Sequence, residues 1–376
     1  MSQSASPASA YPAPRRWRWP LFLPVILVAL LAVGWSAVWF YAQGRAQEEI
    51  AGWRARERQA GRVQDCASQS IGGYPFRIEV HCGGASFELA GTPTLQLKLP
   101  ALLAAVQVYD PKLLIAEFTG PLEISEPGRS PSAVVDWKLA QASVRGLPAG
   151  IERTSVVLDA PIVHDRSRAG DDVVFRAQRV ELHGRQAANS TSADPAIEGV
   201  VRLNAAVADK LHPLAGKPLD AEIATVLRGV DDIAPKPWPV RLKEWQAHGG
   251  RLEIVNARAA QEGVIAVGAG ALTLTARGGL DGNLQVTVVG IDKLLKMFDI
   301  DRIISEGQIG ATLSALDRIM PGLGGIARQN AAPGLVAALG KRTELEGKPA
   351  VAFPVRFVDG TVFLGAFQVG MVPPLF

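Results

Sequence analysis

The chain is poor in the side chains on which metal centres and nucleophilic active sites depend. Only two cysteines and five histidines occur among 376 residues, and none are spaced as metal ligands usually are. The sequence also has no P-loop, no G-x-S-x-G elbow and no G-x-G-x-x-G motif that opens a helix after a strand. These absences favour a protein that is not an enzyme and that has no catalytic residues, no cofactor and no metal ion.

The isolated polar motifs have structural interpretations. His81, beside Cys82, is typical of an outward-facing strand residue rather than a ligand. The acid pairs Asp171-Asp172 and Asp231-Asp232 fall in polar stretches typical of solvated loops. Gly268-Ala-Gly270 lacks the third glycine of a dinucleotide-binding loop, so a turn between two strands is the simpler prediction.

Charge of either sign is too evenly balanced to indicate a nucleic-acid partner. The chain has 39 basic and 36 acidic residues, and its net charge is +3. No dense basic patch with interleaved aromatic residues appears, so nucleic acid is excluded as an expected partner. Aromatic residues make up only 6% of the chain, so any core must be built from Val, Leu, Ile and Ala.

One long apolar run stands out, because Leu21–Tyr41 contains no charged residue. As a helix it would be about 31 Å long, close to the thickness of a bilayer's hydrocarbon core. Trp19 at one end, and Trp35 and Trp39 near the other, resemble interfacial aromatic belts. A buried core helix and a cleaved signal peptide are the alternatives. The run is longer than an ordinary signal-peptide core and ends in bulky residues, which favours an uncleaved anchor.

The orientation of this anchor is inferred from the cysteines, because arginines flank both of its ends. Cys66 and Cys82 lie shortly after the run and are typical of a disulfide in an exported domain. By loop entropy such a bridge would contribute about 3 kcal/mol. Two unpaired buried thiols are the alternative. We therefore expect a cytoplasmic N-terminus, with everything after Tyr41 on the other side of the membrane.

Composition and pattern divide the chain into six segments. They are a disordered cytoplasmic tail at 1–14, the transmembrane anchor at 15–41, a stalk helix at 42–65, a β-rich half at 66–207, a helical connector at 208–248, and a second β-rich half with helices at 249–376.

Period-two alternation predicts many short antiparallel strands with one face buried. After the turn at Gly72, Gly73, Tyr74, Pro75 and Phe76, the alternating residues include Ile78, Val80, Leu95, Leu97, Leu99, Leu114, Ala116, Phe118, Val156, Leu158, Val180, Leu182, Val201 and Leu203. Strands resume after residue 250, and Asp359-Gly360 predicts a closing hairpin turn.

Helical spacing predicts helices in the connector and in the second half. In the connector we expect them at Leu219–Arg228 and Leu242–Ala247. In the second half we expect them at 291–305, 311–320 and 331–342.

Several motifs together resemble a known family. They are GGYPFRIEVHC with the preceding Cys66, WQAHGGRLEIVNA at Trp245–Ala257, GALTLTARGGLDGNLQVTVVG at Gly270–Gly290, and the closing FVDGTVFLGAFQVGMVPPLF. This set is similar to the domain of unknown function 2125 family. More distantly it resembles the AsmA-like envelope proteins of Gram-negative bacteria.

The wider resemblance implies a mainly β protein with accessory helices (α+β). Its long curled antiparallel β-sheet would have an apolar inner face that binds or helps to transfer lipids from an anchor in the bacterial inner membrane. The main domain would be periplasmic. The partners implied are phospholipid or another acyl-chain lipid, and envelope-assembly proteins. The candidate lipid-facing residues are Leu95, Leu97, Leu99, Leu272, Leu274, Val286 and Val288.

Two questions stay open at this point. The strands can form one continuous sheet or two similar halves. A structural protein with closed β cores that docks envelope-assembly partners is the alternative function, because an apolar strand face is more often covered by protein than by lipid.

Overall fold

The computed structural model describes residues 19–89, 91, 93–147, 150–167, 170–191, 193–210, 213–230, 236–291, 293, 340–365 and 367–376. The predicted tail at 1–14 lies outside these residues. So do the Asp231-Asp232 pair and nearly all of the three helices expected between 291 and 342. The end of the last one is contradicted, because Lys341 and Arg342 begin a strand.

The expected anchor and stalk form one continuous helix, α1, at Trp19–Gln59. The helix is long and apolar enough to span a membrane. It ends earlier than predicted, because Gly61 adopts a φ of 75° and its N–H bonds to the Arg58 carbonyl at 3.0 Å, a usual helix stop. The sequence from Arg62 onward is a strand, so the stalk helix does not extend to residue 65.

The rest of the described chain is mainly antiparallel sheet, as predicted. The first ten strands are β1 (Arg62–Gly72), β2 (Arg77–Leu89), β3 (Leu95–Gln107), β4 (Asp110–Thr119), β5 (Leu122–Ser125), β6 (Ala133–Asp136), β7 (Leu139–Arg145), β8 (Arg153–Asp159), β9 (Ile162–Asp165) and β10 (Asp172–Arg176). The next ten are β11 (Arg179–Gln186), β12 (Ala196–Ala206), β13 (Leu219–Arg228), β14 (Arg251–Gln261), β15 (Val264–Leu274), β16 (Leu280–Val289), β17 (Lys341–Leu345), β18 (Lys348–Val358), β19 (Thr361–Leu364) and β20 (Phe367–Met371).

These strands form one large open sheet. The pairing order along its main body is β1, β2, β3, β4, β7, β8, β11, β12, β13, β14, β15, β16, β18, β19 and β20. β17 also pairs with β18, while β5, β6, β9 and β10 continue β4, β7, β8 and β11 beyond a bend.

The bend lies in the first part of the sheet, where two residues separate β4 from β5, β6 from β7, β8 from β9 and β10 from β11. These pairs are Gly120-Pro121, Trp137-Lys138, Ala160-Pro161 and Ala177-Gln178. Pro121 and Pro161 cannot donate to the hydrogen-bond ladder, which breaks the strands there. Backbone bonds still form at the bend, for example from Ala160 N–H to the Gln178 carbonyl at 2.8 Å. Two of the buried clusters lie at this bend, one around Cys82, Ala85 and Leu99 and one around Ala177, Val180 and Ala206.

Two local predictions are wrong, one in the expected connector and one in the second half. Leu219–Arg228 is strand β13 rather than a helix, because it pairs with β12 and β14 on its two sides and Ile223, Thr225 and Val226 are β-branched. The backbone hydrogen bonds of the sheet therefore continue through Leu219–Arg228, in the middle of the connector expected at 208–248. Gly268-Ala-Gly270 is not a turn but the middle of β15, paired with β14 and β16.

Other local predictions are confirmed. A helix, α2, occupies Trp238–Ala247 and contains the segment expected from Leu242 onward. The turn at Asp359-Gly360 joins β18 to β19, with φ angles of 47° and 84°, as a two-residue hairpin turn requires.

Candidate functional site: an apolar face across the sheet

Strand register aligns one uncharged, non-polar residue from each main-body strand between β1 and β18 into a continuous line. Each member is the direct cross-strand partner of the next. This central row is Ile71, Val80, Ala104, Ala116, Ala142, Val156, Leu182, Val201, Ile223, Ala257, Gly268, Val286 and Phe353. About a dozen spacings of about 4.8 Å make the row roughly 58 Å long.

Two further rows run beside the central row, two residues away along each strand except at the bulge between Ile254 and Ala257 of β14, where the spacing is three. We call the three rows together the apolar face. The row nearer the turn between β1 and β2 is Ile78, Val106, Leu114, Val144, Thr154, Gly184, Gly199, Thr225, Ile254, Gly270, Leu284 and Val355. The row nearer the bend is Cys82, Leu102, Phe118, Ala140, Leu158, Val180, Leu203, Ala221, Ala259, Ala266, Val288 and Val351. No side chain in the three rows is charged.

The residues between these rows project from the other side of the sheet, because successive side chains of a strand alternate. On that polar face charged side chains pair across strands. Arg202 contacts its direct partner Glu222 at 2.8 Å, and Arg185 lies 2.5 Å from its partner Glu198. The two faces therefore differ in chemistry along much of the sheet.

The middle of the central row is exposed although it is apolar. Val156 is 36% exposed, Leu182 43%, Val201 37% and Ile223 40%. Each is the direct cross-strand partner of the next. Each Å² of apolar surface left in water costs about 25 cal/mol of free energy, so this row of large aliphatic side chains is unfavourable when it is exposed. Such a patch usually marks a binding surface.

The structure separates the candidate lipid-facing residues into two groups. Val286 lies in the central row, and Val288, only 2% exposed, lies in the row nearer the bend. Leu272 and Leu274, each 8% exposed, lie further along β15. Leu95, Leu97 and Leu99 lie beyond the bend, where β3 pairs with β5; Leu99 is buried beside Ala85, whereas Leu95 is 37% exposed.

The predicted family turn docks on α1. Trp35 Nε1 donates to the Pro75 carbonyl at 2.7 Å, and Trp39 Nε1 donates to the Arg77 carbonyl at 2.8 Å. Gln43 Nε2 donates to the carbonyl of Ile71, the first residue of the central row, at 3.2 Å. The apolar face therefore begins next to the apolar helix.

The predicted disulfide is present between Cys66 of β1 and Cys82 of β2, whose Cα atoms are 5.4 Å apart. Arg54 of α1 lies 3.3 Å from the Cys66 sulfur. The bridge joins the two strands nearest α1 and fixes the start of the sheet beside the helix.

Two of the remaining sequence candidates lie beside side chains with which they can pair. His81 is half exposed and lies 3.5 Å from Glu79 on the polar face. Asp171 pairs with Arg166 at 3.0 Å. Within the described ranges, no group of three or more His, Cys, Asp or Glu side chains is placed to hold a metal ion. A cavity of about 500 Å³ lies at the bend, lined by residues that include Asp65, Lys98 and Glu123.

Sequence reasoning missed the central row, although it had identified many of its members as alternating strand residues. Alternation shows which residues of one strand share a face, but it does not show which residue of the next strand lies opposite. The register that aligns Val156, Leu182, Val201 and Ile223 becomes visible only in the folded sheet.

A helix of membrane-spanning length, docked on the first strands of a large open antiparallel sheet with one apolar face, defines the class of this protein. The family described as an uncharacterized protein conserved in bacteria (DUF2125) matches residues 39–373. The chain belongs to this family, as its motifs predicted. No curated protein and no solved structure matches the chain.

Proposed function

We propose that this chain is a membrane-anchored lipid-binding protein whose apolar face holds the acyl chains of phospholipids and helps to transfer them. The observation that carries the proposal is the central row, in which every main-body strand from β1 to β18 contributes one uncharged, non-polar residue. Each buried methylene of an acyl chain contributes about 0.8 kcal/mol, so even a partly covered chain gains several kcal/mol on such a surface.

The position of α1 favours lipid over a protein occupant. The central row starts at Ile71, whose carbonyl accepts a bond from Gln43 of α1. An acyl chain that leaves the bilayer beside this helix would therefore meet the apolar face directly. The alternative of a structural protein with closed β cores has less support, because the described strands form an open sheet.

The cellular setting is part of the same proposal. We place α1 in the bacterial inner membrane with a cytoplasmic N-terminus and the sheet in the periplasm, since the Cys66–Cys82 disulfide suits an oxidising compartment. We include in this proposal a distant relation to AsmA-like envelope proteins and a role without catalysis. Protease added to spheroplasts should degrade the sheet, and its protection there would contradict this topology.

The test of lipid binding is photo-crosslinking of the full chain in liposomes that contain a phospholipid with a diazirine in its acyl chain. The substitutions Val200→Glu and Val201→Glu, at neighbouring positions of β12, form a matched pair, because Val201 lies in the central row whereas Val200 projects from the polar face. We expect labelled peptides from β8 to β13 in the wild type and in Val200→Glu, and at least a tenfold loss in Val201→Glu.

Labelling of α1 is the internal control, because this helix lies in the bilayer in every variant. Absence of label from β8 to β13 in the wild type, or equal labelling of the two variants, would contradict lipid binding by the apolar face. Capture of a defined protein partner that competes with the lipid label would instead favour a docking role.

A further inference from the structure

The turn between β1 and β2 contacts α1 within the apolar run rather than beyond it. If the hydrocarbon region ends near Tyr41, Trp39 lies about 3 Å and Trp35 about 9 Å below that boundary, at 1.5 Å per residue. Both tryptophans donate to carbonyls of the turn region, those of Pro75 and Arg77. The sheet therefore meets its helix at the depth of the outer part of the bilayer.

Three carbonyls of this turn accept hydrogen bonds inside the protein. The Gly73 carbonyl accepts from Arg77 N–H at 3.0 Å, and the Phe76 carbonyl accepts from Val108 N–H at 3.0 Å. The Pro75 carbonyl is bonded to Trp35, and proline has no N–H to satisfy. Irregular backbone is tolerated in hydrocarbon when its polar groups have partners inside the protein, and these three bonds lower the cost of placing the turn there.

Three aromatic side chains are exposed at the same tip. Tyr74 is 54% exposed and Phe76 58% exposed, and Tyr109 in the neighbouring β3–β4 turn is 66% exposed. The Tyr74 hydroxyl has a partner, since it lies 2.8 Å from Ser36 Oγ of α1. Its ring lies 5.3 Å from the ring of Trp39, which is only 4% exposed. Aromatic residues with a satisfied polar end are enriched at membrane interfaces.

We infer that the β1–β2 and β3–β4 turns form a membrane-inserted tip, which lies in the bilayer leaflet on the side of the sheet. The partner of this surface is the lipid of the same membrane that α1 spans. The inference rests on the proposed anchoring through α1 and does not require lipid binding by the apolar face. It would place Ile71 and Val80, the first residues of the central row, next to the lipid surface.

The test measures the depth of the tip in the full chain reconstituted into liposomes. An NBD fluorophore is attached at Tyr109→Cys or Tyr74→Cys, and for comparison at Lys348→Cys in the distant β17–β18 hairpin. At the two tip positions we expect at least fivefold stronger quenching by a phospholipid nitroxide than at position 348, and at least fivefold weaker quenching by aqueous iodide.

Quenching of both tip probes by iodide as strong as at position 348 would overturn the inference. Peptide mapping of each variant must show the Cys66–Cys82 disulfide, so that the added thiol has not rearranged it. Failure of lipid crosslinking to the apolar face would leave this result unchanged, because the fluorophores report the depth of the two turns alone.

Discussion

Glu181 lies on the polar face, where three nitrogen-bearing side chains converge on its carboxylate. Arg179 Nε lies 2.5 Å from one oxygen, and His183 Nε2 and Arg202 Nη1 lie 3.2 Å and 3.6 Å from the other. The hydrogen bond from Arg179, followed by that from His183, lowers the pKa of Glu181 to about 2. The side chain is only 17% exposed, so water screens these contacts incompletely.

This cluster predicts an acid-dependent part of the stability. Because the folded-state pKa of Glu181 is lower than its ordinary value of 4.5, its contribution is complete above pH 4.5 and is lost as the pH falls toward 2. We expect Glu181→Gln to cost about 1–2 kcal/mol at pH 7, and the variant and wild type to converge near pH 2. Denaturant unfolding of the full chain in detergent at several pH values measures the difference.

The prediction fails if the gap between Glu181→Gln and the wild type is the same at pH 7 and near pH 2. Such a result would mean that the amide loses only packing or a neutral hydrogen bond, neither of which titrates in that range.

Two glycines of strand β15, Gly270 and Gly268, differ in the space that surrounds them. Gly270 adopts a φ of 153°, and a Cβ added there would lie 2.1 Å from the Asn283 carbonyl oxygen of β16. At Gly268, on the same face two residues earlier, the nearest atom to an added Cβ would be 3.8 Å away. The strands approach closely at the first position and not at the second.

We therefore expect Gly270→Ala to destabilise the chain by about 3–5 kcal/mol, through backbone strain and displacement of β16. Gly268→Ala should change the stability by less than about 1 kcal/mol, because it only adds a methyl group to the apolar face. Denaturant unfolding followed by circular dichroism compares the two. Similar stability of both variants would contradict the close approach of β15 and β16.

Elements with strong local signals were predictable from the sequence. The charge-free run gave α1, the Asp-Gly pair gave the closing hairpin, and period-two alternation gave the antiparallel sheet. Leu219–Arg228 was mistaken for a helix because Ile223, Val226 and Leu227 also fit a 3.6-residue period. Pairing with β12 and β14 overrides that pattern, and pairing between distant segments is not encoded in any one of them.

Only the apolar character of the candidate site was predictable from the sequence. Alternation correctly indicated that the strands have an apolar face, and Val286 was named as one of its members. The central row itself depends on register, which bends, bulges and turns set strand by strand. Burial also depends on tertiary position, so Leu99 of β3 is part of a core cluster at the bend whereas Leu182 of β11 is 43% exposed.

Across the sheet, the apolar face has a direction, because α1 contacts its first strands, β1 and β2. If acyl chains enter from the bilayer at Ile71 and Val80, they must pass the middle of the central row before they reach Val286 and Phe353. A charge in that middle would then act as a barrier, since burying an unpaired carboxylate against an acyl chain costs several kcal/mol.

This direction predicts an order of labelling. The full chain in liposomes receives the diazirine phospholipid from added vesicles and is irradiated at successive times. We expect label on β2 to β4 before β16 and β18 in the wild type and in Val200→Glu. In Val201→Glu, β2 to β4 should still be labelled, while the labelling of β16 and β18 should fall at least tenfold. If label reaches β16 and β18 equally fast in all three proteins, lipid enters along the whole length of the sheet. The central row would then bind acyl chains without conducting them from one end to the other.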